Sequence, residues 1–473
     1  MQGSTSFALE STQESAKFDD DGQIKRTGTW MTASAHIITA VIGSGVLSLA
    51  WALAQLGWIA GPFALMTFSL ITWFSSLLLA DCYRGPVSLS IRNYTYMHAV
   101  KSHLGGINVG LCGLAQLTNL VGTTIGYTIT TAISMSAIKR SNCFHKHGHE
   151  AGCHTSNNTF MIIFAVVQII LCQIPNFHQL SILSVIAAVM SFAYSGIGLA
   201  LGIAKLAGGG LGKTSLTGVP IGENGVTNAQ KIWNASQALG NIAFAYSYAV
   251  VLVEIQDTLK SSPPEAVAMK KATTAGIFVT TVFYMLCGVI GYAAFGNNAP
   301  GNFLTGFGFY EPFWLIDLAN MCIVVHLVGA YQVFGQPIFG YVESRCRRQW
   351  PGSEFIAKEY PIATCGGGTM SFNLFRLVWR TTYVIFTIVI AMLLPFFNDF
   401  LGLLGAASFW PLTVYFPIAM YISRAKIRRF SFTWIWMQLL SLVCALVSLV
   451  AAAGSISGLV KSAQKYEPFK SVS

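Results

Sequence analysis

Val41-Ile42-Gly43-Ser44-Gly45-Val46 interrupts an apolar run that opens at Trp30 and continues past Trp51. Two glycines around a serine are poor helix material, because Gly costs about 1 kcal/mol against Ala in a helix interior. In lipid, a backbone amide or carbonyl freed by a break must find another partner. The stretch therefore has two readings. It is a packing notch, where small residues let helices approach closely, or a discontinuous helix whose exposed backbone binds a solute. Taken alone, it leaves both open.

The surrounding composition sets the class. The chain of 473 residues is 53% hydrophobic and only 10% charged, with a mean hydropathy of +0.58. Soluble domains carry about 25% charged residues. Apolar runs of roughly 20 residues recur from end to end, which predicts an all-α polytopic membrane protein in a lipid bilayer. We expect about eleven spans, near 30–54, 57–80, 110–138, 159–175, 180–204, 232–256, 272–295, 312–342, 373–396, 398–421 and 431–459. Pro175 is expected to close the fourth. Residues 1–29 read as a disordered tail, 30–460 as the transmembrane domain and 461–473 as a second tail. The net charge of +10 does not point to nucleic acid, because the charges fall in the links between apolar runs.

Those links also orient the chain. With the N-terminus in the cytosol, most of the 28 Lys and Arg residues fall on the inside, and an odd number of spans puts the C-terminus outside. The loop expected at 139–158 then faces an oxidising compartment. It holds Cys143 and Cys153, close enough in sequence for a disulfide, and the glycosylation sequon that begins at Asn157. The His residues of this loop, with its two Cys, offer metal-capable groups but no CxxC spacing, so a solvated loop is the favoured reading and no metal or cofactor is expected.

Span six decides the opening question. Ala238-Leu239-Gly240-Asn241-Ile242-Ala243-Phe244-Ala245-Tyr246-Ser247-Tyr248 weakens its middle, as Gly43–Gly45 weakens span one. If spans one to five (about 30–204) and six to ten (about 232–421) are two repeats, the odd number inverts the second copy. Interrupted helices at corresponding places in two inverted repeats point to a transporter site at mid-membrane.

Longer motifs carry a resemblance. They include Arg26-Thr27-Gly28, the run from Ala33 to Trp51, Arg92-Asn93-Tyr94-Thr95-Tyr96-Met97, Ile125-Gly126-Tyr127-Thr128-Ile129, Ile255-Gln256-Asp257-Thr258, Gly291-Tyr292-Ala293-Ala294-Phe295-Gly296, Gly329-Ala330-Tyr331-Gln332-Val333 and the run from Phe409 to Pro417. Over nearly the whole chain these resemble plant amino acid permeases of the amino acid/auxin permease family, within the amino acid-polyamine-organocation superfamily. The resemblance implies a leucine-transporter-like 5+5 inverted repeat with discontinuous spans one and six and an eleventh helix. It also implies import of amino acids coupled to protons at the plasma membrane, and a Tyr127 that faces the site. Family members often carry Asp where this chain has Asn241, which cannot titrate.

The chemistry of an amino acid assigns roles. Its carboxylate suits the amides of Gly43, Ser44 and Gly45 at the start of a half-helix, where the dipole adds to the attraction. Its ammonium suits carbonyls near Val41–Ile42 and Ile242–Ala245, among them that of Ala243, with Asn241 as a further acceptor. Phe244 and Tyr246 either line the side-chain pocket or pack as ordinary core. Ionisable groups inside spans are functional hypotheses by default, so His36, His326 and Glu254 are the candidates for proton coupling. Asn119 in span three reads as a helix–helix hydrogen bond, and Trp410-Pro411 as a kink. Rival readings are an auxin or lysine/histidine-type carrier of the same fold and, in another class, an ion channel. No HExxH, GxSxG or P-loop pattern suggests an enzyme.

Overall fold

A capping box at Thr29 starts the first helix. Thr29 N–H donates to Thr32 Oγ1 at 2.8 Å and Thr32 N–H to Thr29 Oγ1 at 3.4 Å. This helix, α1, spans Trp30–Val41. It stops at Ile42 (φ −75°, ψ 84°), where Gly43 N–H turns back to Val41 O at 2.8 Å in an inverse γ-turn. The chain resumes as a 3₁₀ turn, Ser44–Ser48, which runs directly into α2, Leu49–Asp81. The structure, a computed structural model, describes residues 19, 21, 25–86, 91–173, 181–308, 312–363, 369–464 and 466. Pro175 and most of both tails lie outside the described residues.

α2 is two spans joined at Gly57 (φ 79°, ψ −179°). In a straight helix residues eight apart stand about 12 Å apart along the axis. Here the Cβ position of Gly61 falls 3.3 Å from Leu53 Cα, so the chain doubles back. The remaining helices follow in order: α3 (Tyr96–His103), α4 (Ile107–His147), α5 (Asn157–Cys172), α6 (Ser181–Ala207), α7 (Asn228–Ala245), α8 (Leu252–Gln256), α9 (Glu265–Phe295), α10 (Phe313–Gln349), α11 (Leu374–Leu393), α12 (Phe397–Ser408), α13 (Phe416–Arg424) and α14 (Phe432–Gln464). Among the described residues, nine helical segments are long and apolar enough to cross a membrane, with Asn157–Cys172 as a shorter apolar helix. Since Ser44–Asp81 folds back at Gly57, these correspond to the eleven expected segments.

Several boundaries moved. α4 runs on to His147, so Cys143 lies on its last turns and not in a loop. The Cys143–Cys153 disulfide ties that helix end to the following segment. Asn157 opens α5 and is half-buried. α14 extends past the expected limit at 460, and Lys461 Nζ donates to Gln230 Oε1 at 3.1 Å. The charged link before α11 contains an unforeseen antiparallel hairpin, Glu359–Ala363 with Thr369–Asn373. Between α12 and α13, Phe409–Tyr415 is π-helical, the local form taken by the expected Trp410-Pro411 kink. The Gly-rich linker after α6 is not free: Gly212 N–H donates to Ala293 O at 2.9 Å and Val219 N–H to Ala54 O at 3.0 Å.

The turn at Gly57 is under that linker. A Cβ at Gly57 would fall 2.2 Å from Gly218 N, and its φ/ψ region is one that only Gly occupies readily. Gly57→Ala is expected to cost about 1–3 kcal/mol in backbone strain, with the clash added. A lowered unfolding temperature and yield of the purified protein would check this.

Candidate functional site

The two breaks meet. α7 ends at Ala245, and Tyr246-Ser247-Tyr248 separates it from a 3₁₀ turn, Ala249–Val251, that leads into α8. The Cβ position of Gly45 falls 2.8 Å from Ala245 Cα, so one break sits directly on the other. The Tyr284 hydroxyl on α9 binds both: it donates to Val41 O and lies 3.1 Å from Ala245 O. Tyr284 is fully buried. Sequence reasoning missed it, and the only signal available was a polar-tipped residue inside an apolar run.

The two opening glycines do different things. Gly43 forms the break; a Cβ there would meet no atom within 4 Å, and its φ of −126° suits any residue. Gly45 is a packing notch. The same separation holds in span six, where the Gly240-Asn241 pair is not the break. A Cβ on Gly240 would fall 2.4 Å from Gly402 O, so Gly240 is the contact with α12. The helix gives way one turn later, where Ser247 Oγ donates to Ala243 O at 2.7 Å and Ser247 N–H to Phe244 O at 3.1 Å.

A small cavity, with about 30 Å³ open to the centre of a water molecule, lies at this meeting point. Val41, Gly43, Ser44 and Gly45 line it from span one, Asn119, Thr123 and Tyr127 from α4, and Phe244, Ala245 and Ser247 from the second break. Ala40 and Phe334 complete it; Phe334 meets Tyr127 edge-on at 5.5 Å. The lining is mostly apolar with convergent polar atoms. Ser44 Oγ and Asn119 Oδ1 are buried there without a hydrogen-bond partner. Ser44 and Gly45 N–H precede the first bond of their 3₁₀ turn, and no carbonyl before it accepts from them. Buried polar groups left unpaired are rare and call for an explanation such as an absent water, ion or ligand.

The structure therefore redistributes the sequence candidates. Gly43 N–H is spent on Val41 O, which leaves the amides of Ser44 and Gly45. The carbonyls of Ile242, Ala243, Phe244 and Ala245 each already accept one bond, from Tyr246 N, Ser247 Oγ, Ser247 N and Tyr284 Oη respectively. Each keeps a second lone pair. Ile42 and Ala243 are buried next to the cavity without lining it. Asn241 does not face the cavity: its Nδ2 donates to Asn398 Oδ1 at 2.7 Å, toward the start of α12. There Asp399 accepts from Gln237 Nε2 at 2.7 Å and Ser462 Oγ at 2.8 Å. Tyr246 also turns away, its hydroxyl 3.3 Å from Thr281 Oγ1. Asn119, read as a helix–helix bond, lines the cavity instead.

The titratable candidates separate too. His36 is exposed on α1 and does not line the cavity. His326 is buried against α6, with Nδ1 2.7 Å from Ala187 O, and does not line the cavity. Glu254 lies on α8, with Oε1 3.4 Å from Tyr96 N and Oε2 unpaired.

Past Glu254 the site is sealed by charge. Arg26 Nη2 pairs with Asp257 at 2.9 Å and with Asp21 at 2.9 Å, and its Nη1 with Asp19 at 3.1 Å. Arg92, whose side chain is fully buried, reaches Asp21 at 3.2 Å and Glu265 at 3.2 Å. Tyr83 Oη donates to Asp257 Oδ1 at 2.6 Å. Gly28 N–H donates to Thr258 O at 3.0 Å, and a Cβ on Gly28 would fall 2.4 Å from that oxygen. So the tail expected to be disordered over 1–29 is docked from Arg26 onward. Burial by itself would raise the Asp19 carboxyl, but hydrogen bonds from Arg26 and the charge of Arg92 outweigh it and hold Asp19 below the usual range. A depressed carboxyl contributes fully above its unfolded value, about 3.9, and is lost only as pH falls through its lower folded value.

Two tests follow from this geometry. Gly43→Ala is expected to reach the cell surface and raise KM by about 10-fold, roughly 1.4 kcal/mol, whereas Gly45→Ala forces the two breaks apart and loses transport with normal or reduced surface levels. Labelled-substrate uptake with surface quantification reads both. Arg26→Ala leaves Asp257 and Asp21 short of a buried partner, which typically costs about 3–5 kcal/mol. Faster maleimide labelling of Cys82, now fully buried beside the seal, is the expected result.

Comparisons with known proteins agree with this architecture. A model of the family described as transmembrane amino acid transporter protein matches residues 26–461. Amino acid permease 6 of Arabidopsis thaliana is 66% identical over 456 residues, covering 96% of this chain and 95% of the relative. Amino acid permease 8 of the same plant is 60% identical over 98% of both chains, and lysine histidine transporter-like 6 is 30% identical over 93% of both. The crystal structure of MhsT in complex with L-phenylalanine superposes with a TM-score of 0.53, at 10% identity, over 92% of this chain and 100% of that one. That likeness concerns the fold alone and fixes it as leucine-transporter-like. The chain belongs to the transmembrane amino acid transporter family.

Proposed function

We propose that this protein imports amino acids together with protons by alternating access around the cavity between the two breaks. The observation that carries the reading is the set of unpaired polar atoms converging there: Ser44 and Gly45 N–H, Ser44 Oγ and Asn119 Oδ1. The amides and the Ser44 hydroxyl suit a carboxylate at the start of a helical segment that continues to Leu56. The second lone pairs of the Ala243–Ala245 carbonyls and Asn119 Oδ1 suit an ammonium. Ala40, Phe244 and Phe334 form the apolar wall for the side chain, and Tyr127 Oη stands ready as an additional hydrogen-bonding group. Asn241, Tyr246 and Ile42 support these walls without touching substrate.

The reading includes a plasma-membrane location with the docked N-terminal segment in the cytosol and the Cys143–Cys153 disulfide outside, where Asn157 would be the glycan acceptor. The inner end is then the end closed by Arg26 and Asp257, and the state described is closed to the cytosol. Broad specificity is part of the proposal, because the cavity wall carries no charged side chain to select for one class of substrate. A lysine/histidine-type carrier is the second reading; it is favoured less because the lysine histidine transporter-like relative is 30% identical against 66% for the permease.

Uptake of labelled amino acids in transporter-deficient cells, at about pH 5 and about pH 7, tests this. Expected are saturable uptake, inward current on substrate addition, stimulation at acid pH and competition by many neutral amino acids. Uptake confined to lysine and histidine would favour the second reading, and saturable uptake without current or pH dependence would remove the proton.

A further inference from the structure

We propose that Glu254 is the proton-binding site of the transport cycle, and that it links the substrate cavity to the charged seal. This rests on the proton-coupled reading above and names the group that carries the proton.

The argument starts from position. Ser247 lines the cavity, and Glu254 follows seven residues later, beyond the 3₁₀ turn Ala249–Val251 and in the first turn of α8. Three residues beyond it, Asp257 holds Arg26 and Tyr83 in the seal. Glu254 thus stands between the substrate and the closure that must open to release it.

Its surroundings do not suit a permanent charge. Oε1 receives one long bond from Tyr96 N–H, at 3.4 Å, and Oε2 is buried with no partner. Among the described residues no Lys, Arg or His stands within ion-pair distance of it. The arginines at this end are committed elsewhere: Arg26 and Arg92 to Asp19, Asp21, Asp257 and Glu265, and Arg84 to Glu265. The titratable groups placed against Glu254 are Tyr96 from α3, Cys112 from α4 and Asp257 on its own segment, none of them a cation. An uncompensated carboxylate in such a place is costly, and the usual resolution is to take up a proton. His326 is buried but lies against α6 away from the cavity lining, and His36 is exposed, so neither combines burial with a place between cavity and seal.

Protonation has a structural consequence. A proton from the outside compartment adds to Oε2, converting the carboxylate to a neutral acid, and leaves to the inside compartment when the seal opens. The charge that faces Tyr96 N–H at the start of α3 disappears while it is bound. Tyr96 also donates through its hydroxyl to Leu412 O at 2.6 Å, in the π-helical part of span ten. One residue therefore joins span six, α3 and span ten, and the charge on Glu254 sets how tightly the first of these is held.

The test is Glu254→Gln in cells or proteoliposomes, read by two assays. The ratio of uptake at pH 5 to pH 7, above 1 in the wild type, is expected to fall to about 1, with accumulation against a gradient lost. Counterflow of labelled for unlabelled substrate at equal pH is expected to persist, which shows a folded protein that binds substrate. Glu254→Asp, which keeps a carboxyl group, is expected to retain a ratio above 1. The proposal is overturned if Glu254→Gln keeps the wild-type ratio and accumulation, or if it reaches the surface yet loses counterflow as well, which marks a structural role. A wild type with counterflow but no pH dependence would overturn the proton-coupled reading itself, and this proposal with it.

Discussion

The hydroxyl of Tyr284, shared between the carbonyls of Val41 and Ala245, is the point on which the structure depends. A broken helix inside a bilayer is tolerated only if the freed backbone groups are satisfied by protein. Here one phenol from a third helix stands within hydrogen-bond distance of the last carbonyl of both half-helices, its single proton shared between them. It fixes the two breaks against each other, and the close approach of Gly45 to Ala245 does the rest. The amides of Ser44 and Gly45 on the other side of the break are left without such a partner, and they are the ones that face the cavity.

This asymmetry explains the polarity of the site. At Val41, Ile242 and Ala243–Ala245 each freed carbonyl already accepts a hydrogen bond from protein. Where the backbone is unsatisfied, at Ser44 and Gly45, a solute can enter as the missing partner. The side chains add to the same pattern: Ser44 Oγ and Asn119 Oδ1 are unpaired at the cavity, while Asn241 Nδ2 and the Tyr246 hydroxyl are engaged away from it, with Asn398 and Thr281.

The two ends of the bundle are closed by different chemistry. At the N-terminal side, largely buried guanidinium–carboxylate pairs hold Arg26–Thr29 across the end of span six. Such pairs are costly to bury and costly to break singly, which suits a closure that opens as a unit. At the opposite side, the Asp399 carboxylate accepts from two neutral donors, Gln237 and Ser462, and Asn398 accepts from Asn241. Hydrogen bonds to a charged group are worth about 1.5–3 kcal/mol each, below the roughly 3–5 kcal/mol cost of breaking a buried ion pair, so this end is the more easily separated. The short helix α3, with the Asn93–Tyr96 motif at its start, ties the charged end to the π-helical part of span ten.

The sequence by itself determined the class, the span count and the place of the first break. Those rest on local quantities: apolar run length, charge in the links, and the poor helix propensity of Gly43-Ser44-Gly45. The Cys143–Cys153 pair was legible for the same reason, from its spacing. What only the tertiary structure decided was which face each residue presents, and to what. Sequence could not separate Gly43, which breaks the helix, from Gly45, which packs against Ala245, because both are the same residue type in one turn. It marked Ala238–Tyr248 as a weakened stretch without separating its parts, and Gly240 in fact meets Gly402 while the helix gives way after Ala245, since a missing Cβ serves close approach as well as irregularity. It passed over Tyr284 and Phe334 because a Tyr or Phe in an apolar run carries no local mark of its distant partner. Contacts between residues more than two hundred positions apart, such as Tyr284 with Val41 and Arg26 with Asp257, are set by how whole helices pack, and no local pattern encodes them.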